Sequence, residues 1–198
     1  RPTNSGDLKL NIEKNVIEKQ IIIPSDAQVG DYFGEHVSIS NKYAIVGAPN
    51  QDLDANGNNE LSNAGAAYIF ERQLNGSWSQ NAKIVANDRD VDVGFGYSVS
   101  IDNSYAIVGA YFEQSSETNN STSATNNGSV YIFELQSDGS WNQITKLFSD
   151  NKEIYVGFGY SVDIDNSYAI VGAYGEDVSG VVNAGSAYIF ENQTDGSW

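Results

Sequence analysis

The sequence predicts an all-β fold, a β-propeller segment in which three blades of four antiparallel strands are visible. Three observations lead to this prediction. Short segments rich in β-branched and aromatic residues alternate with Asn-Gly, Asp-Gly and Asp-Asn turns, and no helical periodicity of useful length interrupts them. The same series of segments then recurs three times along the 198 residues. Four antiparallel strands per unit, repeated radially, are typical of propeller blades.

Four short motifs mark the repeat and return in the same order. The first residues of Phe-Gly, Val-Gly-Ala, Tyr-Ile-Phe and Gly-Ser-Trp are Phe33, Val46, Tyr68 and Gly76 in the first copy, Phe95, Val108, Tyr131 and Gly139 in the second, and Phe158, Val171, Tyr188 and Gly196 in the third. The first two motifs recur at spacings of 62 and 63 residues, whereas the last two recur at 63 and then 57. The loop between Val-Gly-Ala and Tyr-Ile-Phe therefore absorbs the differences in length.

The second copy shows the predicted strands in order. Residues 97–102 and 104–110 form a hairpin through a polar Asp-Asn turn, 128–135 form the third strand, and 141–148 form the fourth after an Asp-Gly turn. Residues 78–86 are the fourth strand of the first copy. Each unit is therefore expected to be a four-stranded meander.

The alignment of the copies also sets the domain boundaries. Residues 16–24 align with 78–86, which predicts a displaced outer strand of the fourth type after an N-terminal extension over 1–15. The propeller segment then spans 16–198, with blade repeats at about 28–86, 87–148 and 149–198. Closed propellers have about 4–8 blades. We therefore expect a fragment of a larger propeller, completed by further blades of the same parent chain, and as a second interpretation a ring closed by a homo-oligomer.

The motifs carry a specific resemblance. Phe33-Gly34, the Val-Gly-Ala-Pro at 46–49 and the Gly-Ala-Ala-Tyr-Ile-Phe at 65–70 resemble an FG-GAP repeat, and the similarity covers about 28–198. That family builds the propeller of integrin α subunits and many bacterial surface proteins. In the second and third copies Tyr111 and Tyr174 replace the Pro of the motif. The resemblance implies a propeller whose loop-rich face contacts ligands.

The composition restricts the partners. Twenty-six acids against ten bases give a formal net charge of −16 at pH 7, which repels nucleic acid and anionic lipid and favours cations and basic surfaces. The chain has no cysteine for disulfide or thiol chemistry, and no apolar run long enough for membrane insertion. The expected partner is a protein or glycan ligand, with neither nucleic acid nor a membrane span involved.

Chain direction predicts where that ligand binds. The faithful copies of the Gly-containing motifs are interpreted as scaffold, because Gly permits tight turns and close approach of neighbouring sheets. The connections between second and third strands, at 50–64, 112–127 and 175–184, differ in length and sequence and share one face of the blades. Variable loops on a repeated scaffold usually carry recognition.

One of these loops is a candidate calcium site. Oxygen ligands alternate around the bend at Gly57, in a pattern that resembles the first half of an EF-hand loop: Asp52, Asp54, Asn56 and Glu60. The stretch is closer to the nine-residue calcium loop of integrin-type repeats, although that family places its loop between the first two strands. A solvated polar loop is the alternative. Weaker candidates are Glu113 with Glu117 and Glu176 with Asp177, and a solvated segment is expected for Asp88, Asp90 and Asp92.

No catalytic constellation emerges from the sequence. His36 is the only histidine, its counterparts are serines, and no Gly-x-Ser-x-Gly, Walker or dinucleotide-binding motif occurs. The sequence therefore predicts a non-catalytic, extracellular or cell-surface module for recognition, adhesion or assembly, with calcium as its one candidate cofactor. Two alternatives stay open: an accessory or platform domain of a secreted carbohydrate-processing enzyme, and a structural subunit of a filament or surface layer.

Overall fold

The structure, a computed structural model, describes residues 17–114, 127–149 and 156–198. Within these ranges the chain is all-β, with eleven strands in three separate antiparallel sheets and no helix. The predicted fold class is confirmed, and the three sheets form part of a propeller rather than a closed one. The N-terminal extension at 1–15 and the residue Glu117 lie outside the described residues. No helix in the described ranges is long and apolar enough to cross a membrane.

Each sheet is one blade, and its strands lie side by side in chain order. Blade 1 contains β1 (Val37–Ile39), β2 (Tyr43–Ala48), β3 (Ala66–Arg72) and β4 (Trp78–Ile84). Blade 2 contains β5 (Ser98–Ile101), β6 (Tyr105–Ala110), β7 (Ser129–Leu135) and β8 (Trp141–Leu147). Blade 3 contains β9 (Phe158–Asp165), β10 (Tyr168–Ala173) and β11 (Ser186–Glu191), and among the described residues β11 pairs only with β10.

The register of the third and fourth strands is the same in blades 1 and 2. Tyr68 lies opposite Lys83 in blade 1, and Tyr131 lies opposite Lys146 in blade 2. Both ladders shift register one residue later along the third strand, between Ile69 and Phe70 and at the equivalent place in blade 2. The register shift between the third and fourth strands is therefore repeated along with the strands themselves.

The glycines of the repeated motifs lie where consecutive blades touch. The Val-Gly-Ala glycine Gly47 faces the Phe-Gly glycine Gly96 of the next blade, and Gly109 faces Gly159 in the same way. A Cβ atom on Gly47 or Gly109 would overlap the carbonyl oxygen of the glycine opposite. Gly96 also has a φ of +97°, which an L side chain rarely adopts. The two motifs are complementary halves of one blade contact.

Hydrophobic cores fill the spaces between blades. One core joins Ile45 and Ile69 of blade 1 to Phe95 and Val108 of blade 2, and a second joins blade 2 to blade 3. The Phe95 ring packs edge to face on Tyr131 of its own blade, with ring centroids 5.3 Å apart. We call the side of a blade that faces its predecessor the leading face, and the side that faces its successor the trailing face.

The N-terminal segment, residues 17–24, contains no strand and pairs with none of the three sheets. Ile22 packs on the core of Val46, Tyr68 and Phe70 at the leading face of blade 1. Gln20 exchanges two hydrogen bonds of 2.8 Å with the backbone of Trp78. The strand predicted over 16–24 is therefore absent from the described part of this segment, because no third strand of a preceding blade lies beside it.

Candidate ligand-binding cleft

Two positions of the repeat place aromatic rings on the long-loop face. One follows Phe-Gly at the start of the first strand, and the other follows Val-Gly-Ala at the end of the second strand. Antiparallel pairing brings these two strand ends together. In the three copies the residues at the first position are Glu35, Tyr97 and Tyr160, and those at the second are Pro49, Tyr111 and Tyr174.

The rings at these positions form one cluster across blades 2 and 3, and His36 connects it to blade 1. Tyr97 lies 4.1 Å from Tyr111 and 5.4 Å from Tyr160, measured between ring centroids. Tyr160 in turn lies 4.7 Å from Tyr174 within blade 3. On the other side, the imidazole of His36 in blade 1 lies 5.1 Å from Tyr97. His36 therefore packs on an aromatic ring.

A cleft of about 670 Å³ opens beside this cluster, between blades 1 and 2. Its lining combines aromatic rings with carboxylates and includes no Lys or Arg among the described residues. The residues that give it this character are Tyr32, Tyr97, Phe112, Glu35, Asp90 and Asp92. Tyr32 is 62% exposed and Phe112 is 42% exposed, so both rings are available to a ligand. Rings and carboxylates together provide apolar contact and negative charge.

Two tyrosines of the cleft, Tyr97 and Tyr111, are neutral at physiological pH. A hydrogen bond with Tyr160, together with burial, raises the pKa of Tyr97 above its ordinary value of 10.0. Burial raises the pKa of Tyr111 in the same direction. Both phenols therefore keep their protons, and the negative charge of the cleft comes from its carboxylates.

The wall of the cleft is built from two segments that bond to each other. The backbone N–H of Asp92 donates to Ser62 at 2.9 Å, and that of Gly94 donates to Asn63 at 3.2 Å. The Asn63 amide donates to the carboxylate of Asp92 at 2.8 Å. These bonds join the loop at 50–64 to the linker between blades 1 and 2. Asp90 and Asp92 are thereby placed at the rim of the cleft.

The predicted calcium residues lie in this loop but do not turn their oxygens toward one point. Asp54 accepts hydrogen bonds from the backbone N–H groups of Asn56 and Asn58, and also from the side chain of Asn59. These donors hold the pKa of Asp54 below its ordinary value. Asp52 accepts a bond of 2.8 Å from the backbone of Asn63. The carboxylates of Asp52 and Asp54 thus accept hydrogen bonds from within the loop itself.

Arg89 provides the cation nearest to this loop. Its guanidinium donates to the carbonyl oxygen of Asp52 at 2.6 Å and to that of Asn59 at 2.9 Å. Asp54 and Glu60 are not brought together with a third acid: no group of three His, Cys, Asp or Glu side chains that could hold a metal occurs among the residues that the structure describes. The guanidinium thus engages two backbone oxygens of the loop, while calcium at its side-chain oxygens stays a prediction.

The weaker acidic candidates Glu113 and Glu176 are buried. Each follows Val-Gly-Ala by the same interval and accepts a hydrogen bond from the tyrosine of Tyr-Ile-Phe, at 2.7 Å from Tyr131 and 2.6 Å from Tyr188. In blade 2, Lys146 also contacts Glu113 and forms an ion pair of 2.7 Å with Asp88.

Blade 1 has a variant of this buried pairing between a polar side chain and the tyrosine of Tyr-Ile-Phe. Buried Gln51 replaces the glutamate and donates to Tyr68 at 3.1 Å, while Lys83 pairs with Asp26 at 2.6 Å. The repeated carboxylate or amide therefore anchors the root of each long loop inside its blade. Asp88 is bound to Lys146 and so does not share a side with Asp90 and Asp92, which line the cleft.

Sequence reasoning missed the aromatic cluster, although a signal was present. The copies depart from Val-Gly-Ala-Pro by placing Tyr111 and Tyr174 at the Pro position, and Tyr97 and Tyr160 follow Phe-Gly in the same two copies. Two simultaneous changes to Tyr, at positions that antiparallel pairing makes adjacent, indicate a shared surface.

Comparison with protein families agrees with this architecture. The FG-GAP repeat model matches residues 16–70, 78–133 and 141–190, which is most of the chain and includes all three blades. No curated protein matches the sequence. The second and third matches each begin with the fourth strand of one sheet and continue through the first three strands of the next sheet. The glycines of both motifs lie at the blade contacts. The chain therefore belongs to the FG-GAP repeat family.

Proposed function

We propose that this chain is a non-catalytic recognition module, extracellular or at the cell surface, that binds a basic group of a protein ligand in the cleft between blades 1 and 2. FG-GAP repeat propellers are typically non-catalytic and often extracellular, which supports the setting. The observation that carries the proposal is the lining itself, where aromatic rings stand beside Glu35 and Asp90 without a basic residue.

The chemistry of the cleft selects for a cation. The face of an aromatic ring attracts an ammonium or guanidinium group by about 0.5–2 kcal/mol. Nearby carboxylates add Coulomb attraction, and the net charge of −16 draws basic ligands toward the surface. An anionic ligand would meet repulsion from both sources.

A glycan is the second candidate. The exposed rings of Tyr32 and Phe112 can stack on sugar rings, and the amides of Asn50 and Asn63 also line the cleft. These groups would bind a neutral oligosaccharide without needing the carboxylates. The two candidates therefore differ in their dependence on Glu35 and Asp90.

Calorimetric titration with Nα-acetyl-arginine amide, and separately with a panel of neutral oligosaccharides, tests the proposal. We expect saturable binding of the arginine derivative that weakens as salt increases. The double variant Glu35→Gln/Asp90→Asn should lower this affinity about 10-fold, because two exposed carboxylates are lost. Asp138→Asn removes a carboxylate from the opposite face and serves as the control.

Two outcomes would remove the cationic ligand from the proposal. One is an absence of saturable binding to the arginine derivative, and the other is equal affinity in the double variant and the wild type. Saturable oligosaccharide binding that Phe112→Ala abolishes and the double variant leaves intact would favour the glycan.

Calcium at Asp52, Asp54, Asn56 and Glu60 stays a prediction, and the proposed function does not depend on it. If Arg89 alone stabilises the loop and no calcium binds, the thermal midpoint should be the same in calcium and in chelator. Arg89→Gln should lower the midpoint by about 2–4 °C, through loss of two charge-assisted hydrogen bonds worth about 1 kcal/mol in net stability. Exposed Arg72→Gln is the control. A calcium-dependent rise of the wild-type midpoint would contradict this expectation and support the metal.

A further inference from the structure

Three residues that line the cleft have backbones in the left-handed region. The φ angles of Tyr32, Asn63 and Asp92 are +56°, +49° and +56°. A Cβ atom crowds the backbone in this region, so glycine is favoured there and a bulky side chain is strained. Strained residues persist only where the surrounding structure holds them, and they cluster at functional sites. Each of the three residues therefore requires a physical explanation.

Local structure explains the conformations of Asn63 and Asp92. Their short polar side chains can bond to nearby groups, which makes the left-handed region accessible to them. Asn183 has a φ of +52° and precedes Gly185 by two residues, as Asn63 precedes Gly65, so this conformation belongs to the repeat. The Asp92 carboxylate accepts its bond of 2.8 Å from Asn63. Neither conformation requires a ligand.

Tyr32 has neither of these explanations. The position lies two residues before the glycine of Phe-Gly, and it is occupied by Gly94 in the second copy and by Gly157 in the third. These glycines have φ angles of +63° and +66°, so all three copies share a left-handed backbone here. Tyrosine lacks the short polar side chain that eases this conformation. A glycine would therefore fit the fold at position 32 better than the tyrosine does.

The residues on both sides of Tyr32 hold its backbone in this conformation. Asp31 is buried, and its carboxylate accepts a hydrogen bond of 2.9 Å from the amide of Gln51. On the other side, the Phe33 ring packs edge to face on Tyr68, with 5.5 Å between centroids. Because both neighbours are anchored in blade 1, the tyrosine between them is held at the cleft.

Tyr32 also gives blade 1 an aromatic surface that it would otherwise lack at the cleft. In blade 2 the Phe112 ring covers Gly94, and a Cβ atom on that glycine would meet the ring at 3.2 Å. Asn50 corresponds to Phe112 in blade 1, so the long loop of blade 1 supplies no ring at that position. Among the described residues that line the cleft, Tyr32 is the one aromatic residue contributed by blade 1.

We propose that Tyr32 determines the specificity of the cleft by placing its ring against the basic group of the ligand, so that its strained backbone serves binding rather than folding. This inference rests on the proposed function. A ring face attracts an ammonium or guanidinium group. The N–H of Glu35 donates to the carbonyl of Tyr32 at 3.1 Å, so one turn supplies the cleft with both a ring and a carboxylate. Because the turn is fixed before the ligand arrives, little freedom is lost on binding.

Three substitutions at Tyr32 separate binding from folding. Tyr32→Gly removes the ring and the strain, Tyr32→Ala removes the ring but keeps a Cβ atom at positive φ, and Tyr32→Phe keeps the ring. In titrations with Nα-acetyl-arginine amide, we expect the glycine and alanine variants to bind about 3–10-fold more weakly and the phenylalanine variant to bind as the wild type does. The thermal midpoint should rise by about 2–4 °C in Tyr32→Gly but not in Tyr32→Ala, because only glycine relieves the strain.

Tyr168→Ala is the matched control, because Tyr168 is 54% exposed at the start of β10, away from the cleft, and should leave the affinity unchanged. Binding by the wild type with equal affinity in Tyr32→Gly would overturn this inference and leave the proposed function standing. A lower midpoint in Tyr32→Gly would also overturn it, because the ring would then stabilise the fold. An absence of saturable binding to the wild type would overturn the proposed function and this inference together.

Discussion

Blades 2 and 3 are nearly the same in sequence and differ in their surroundings. Blade 2 is packed between two neighbours, and Ile132 on its third strand is fully buried. Blade 3 has one neighbour among the described residues, and Ile189 at the equivalent position is 72% exposed. Since the second and third strands pair in the same register in both blades, the difference shows that the next blade, rather than the strand itself, decides which isoleucines become core.

Exchanging the blade-contact glycine should give the largest difference between the two blades. Gly109→Ala places a methyl group against the backbone carbonyl of Gly159, which cannot move without separating the blades. We expect a loss of about 4 kcal/mol or more in unfolding free energy. Gly172→Ala meets the side chain of Ser161, which can rotate, so its loss should be below about 1 kcal/mol. Urea unfolding followed by tryptophan fluorescence measures both, and equal losses would contradict the blade-contact role of Gly109.

Truncating the equivalent isoleucines should give the next largest difference. Ile132→Ala removes fully buried methyl groups and should cost about 2–5 kcal/mol. Ile189→Ala on the exposed face should change stability by less than about 0.5 kcal/mol in dilute protein. Equal losses at the two positions would contradict the role of the next blade in burying Ile132.

The buried polar cluster should give the smallest effect. Lys146→Met leaves the Glu113 carboxylate, whose side chain is 9% exposed, without its cation and should cost about 1–3 kcal/mol at neutral pH. Lys42→Met, which breaks the exposed pair with Glu71, is the control and should have no measurable effect. Thermal unfolding of the two variants measures the difference, and equal midpoints would show that burial of the pair is unimportant.

The pKa of Asp88 determines how the stability cost of Lys146→Met should change with pH. Burial raises the pKa of Asp88, but the hydrogen bond and charge of Lys146 outweigh it, so the net pKa lies below 3.8. The stabilisation from the Asp88–Lys146 pair is therefore present above pH 3.8 and is lost as the pH falls through the lower pKa of the folded state. The gap between wild type and Lys146→Met should narrow over that acidic range.

The strands and blade contacts could be predicted from the sequence because they depend on local periodicity and on residue size. The alternation of β-branched residues with polar turns is sufficient for four-stranded meanders, and Gly47 and Gly109 are glycine because a neighbouring backbone approaches them. These are short-range constraints that recur in each copy. The strand pattern and the blade-contact glycines could therefore be recognised by comparing the copies.

The cleft and the contact of Arg89 with the candidate calcium loop could not be predicted in this way, because they depend on residues far apart in the chain. Asp52 and Asp54 have the spacing of a metal loop, yet Arg89 from the next linker contacts the same loop. Tyr97 and Tyr160 form one cluster only when blades 2 and 3 pack together.

The sequence by itself determined the repeat, the four-strand plan of the blades and the shared face of the variable loops. Only the tertiary structure decided which isoleucines are buried, which carboxylates face the cleft, and that residues 17–24 dock on blade 1 without forming a strand. The physical reason is that periodicity and residue size act within one blade, whereas burial and charge compensation are properties of the contacts between blades.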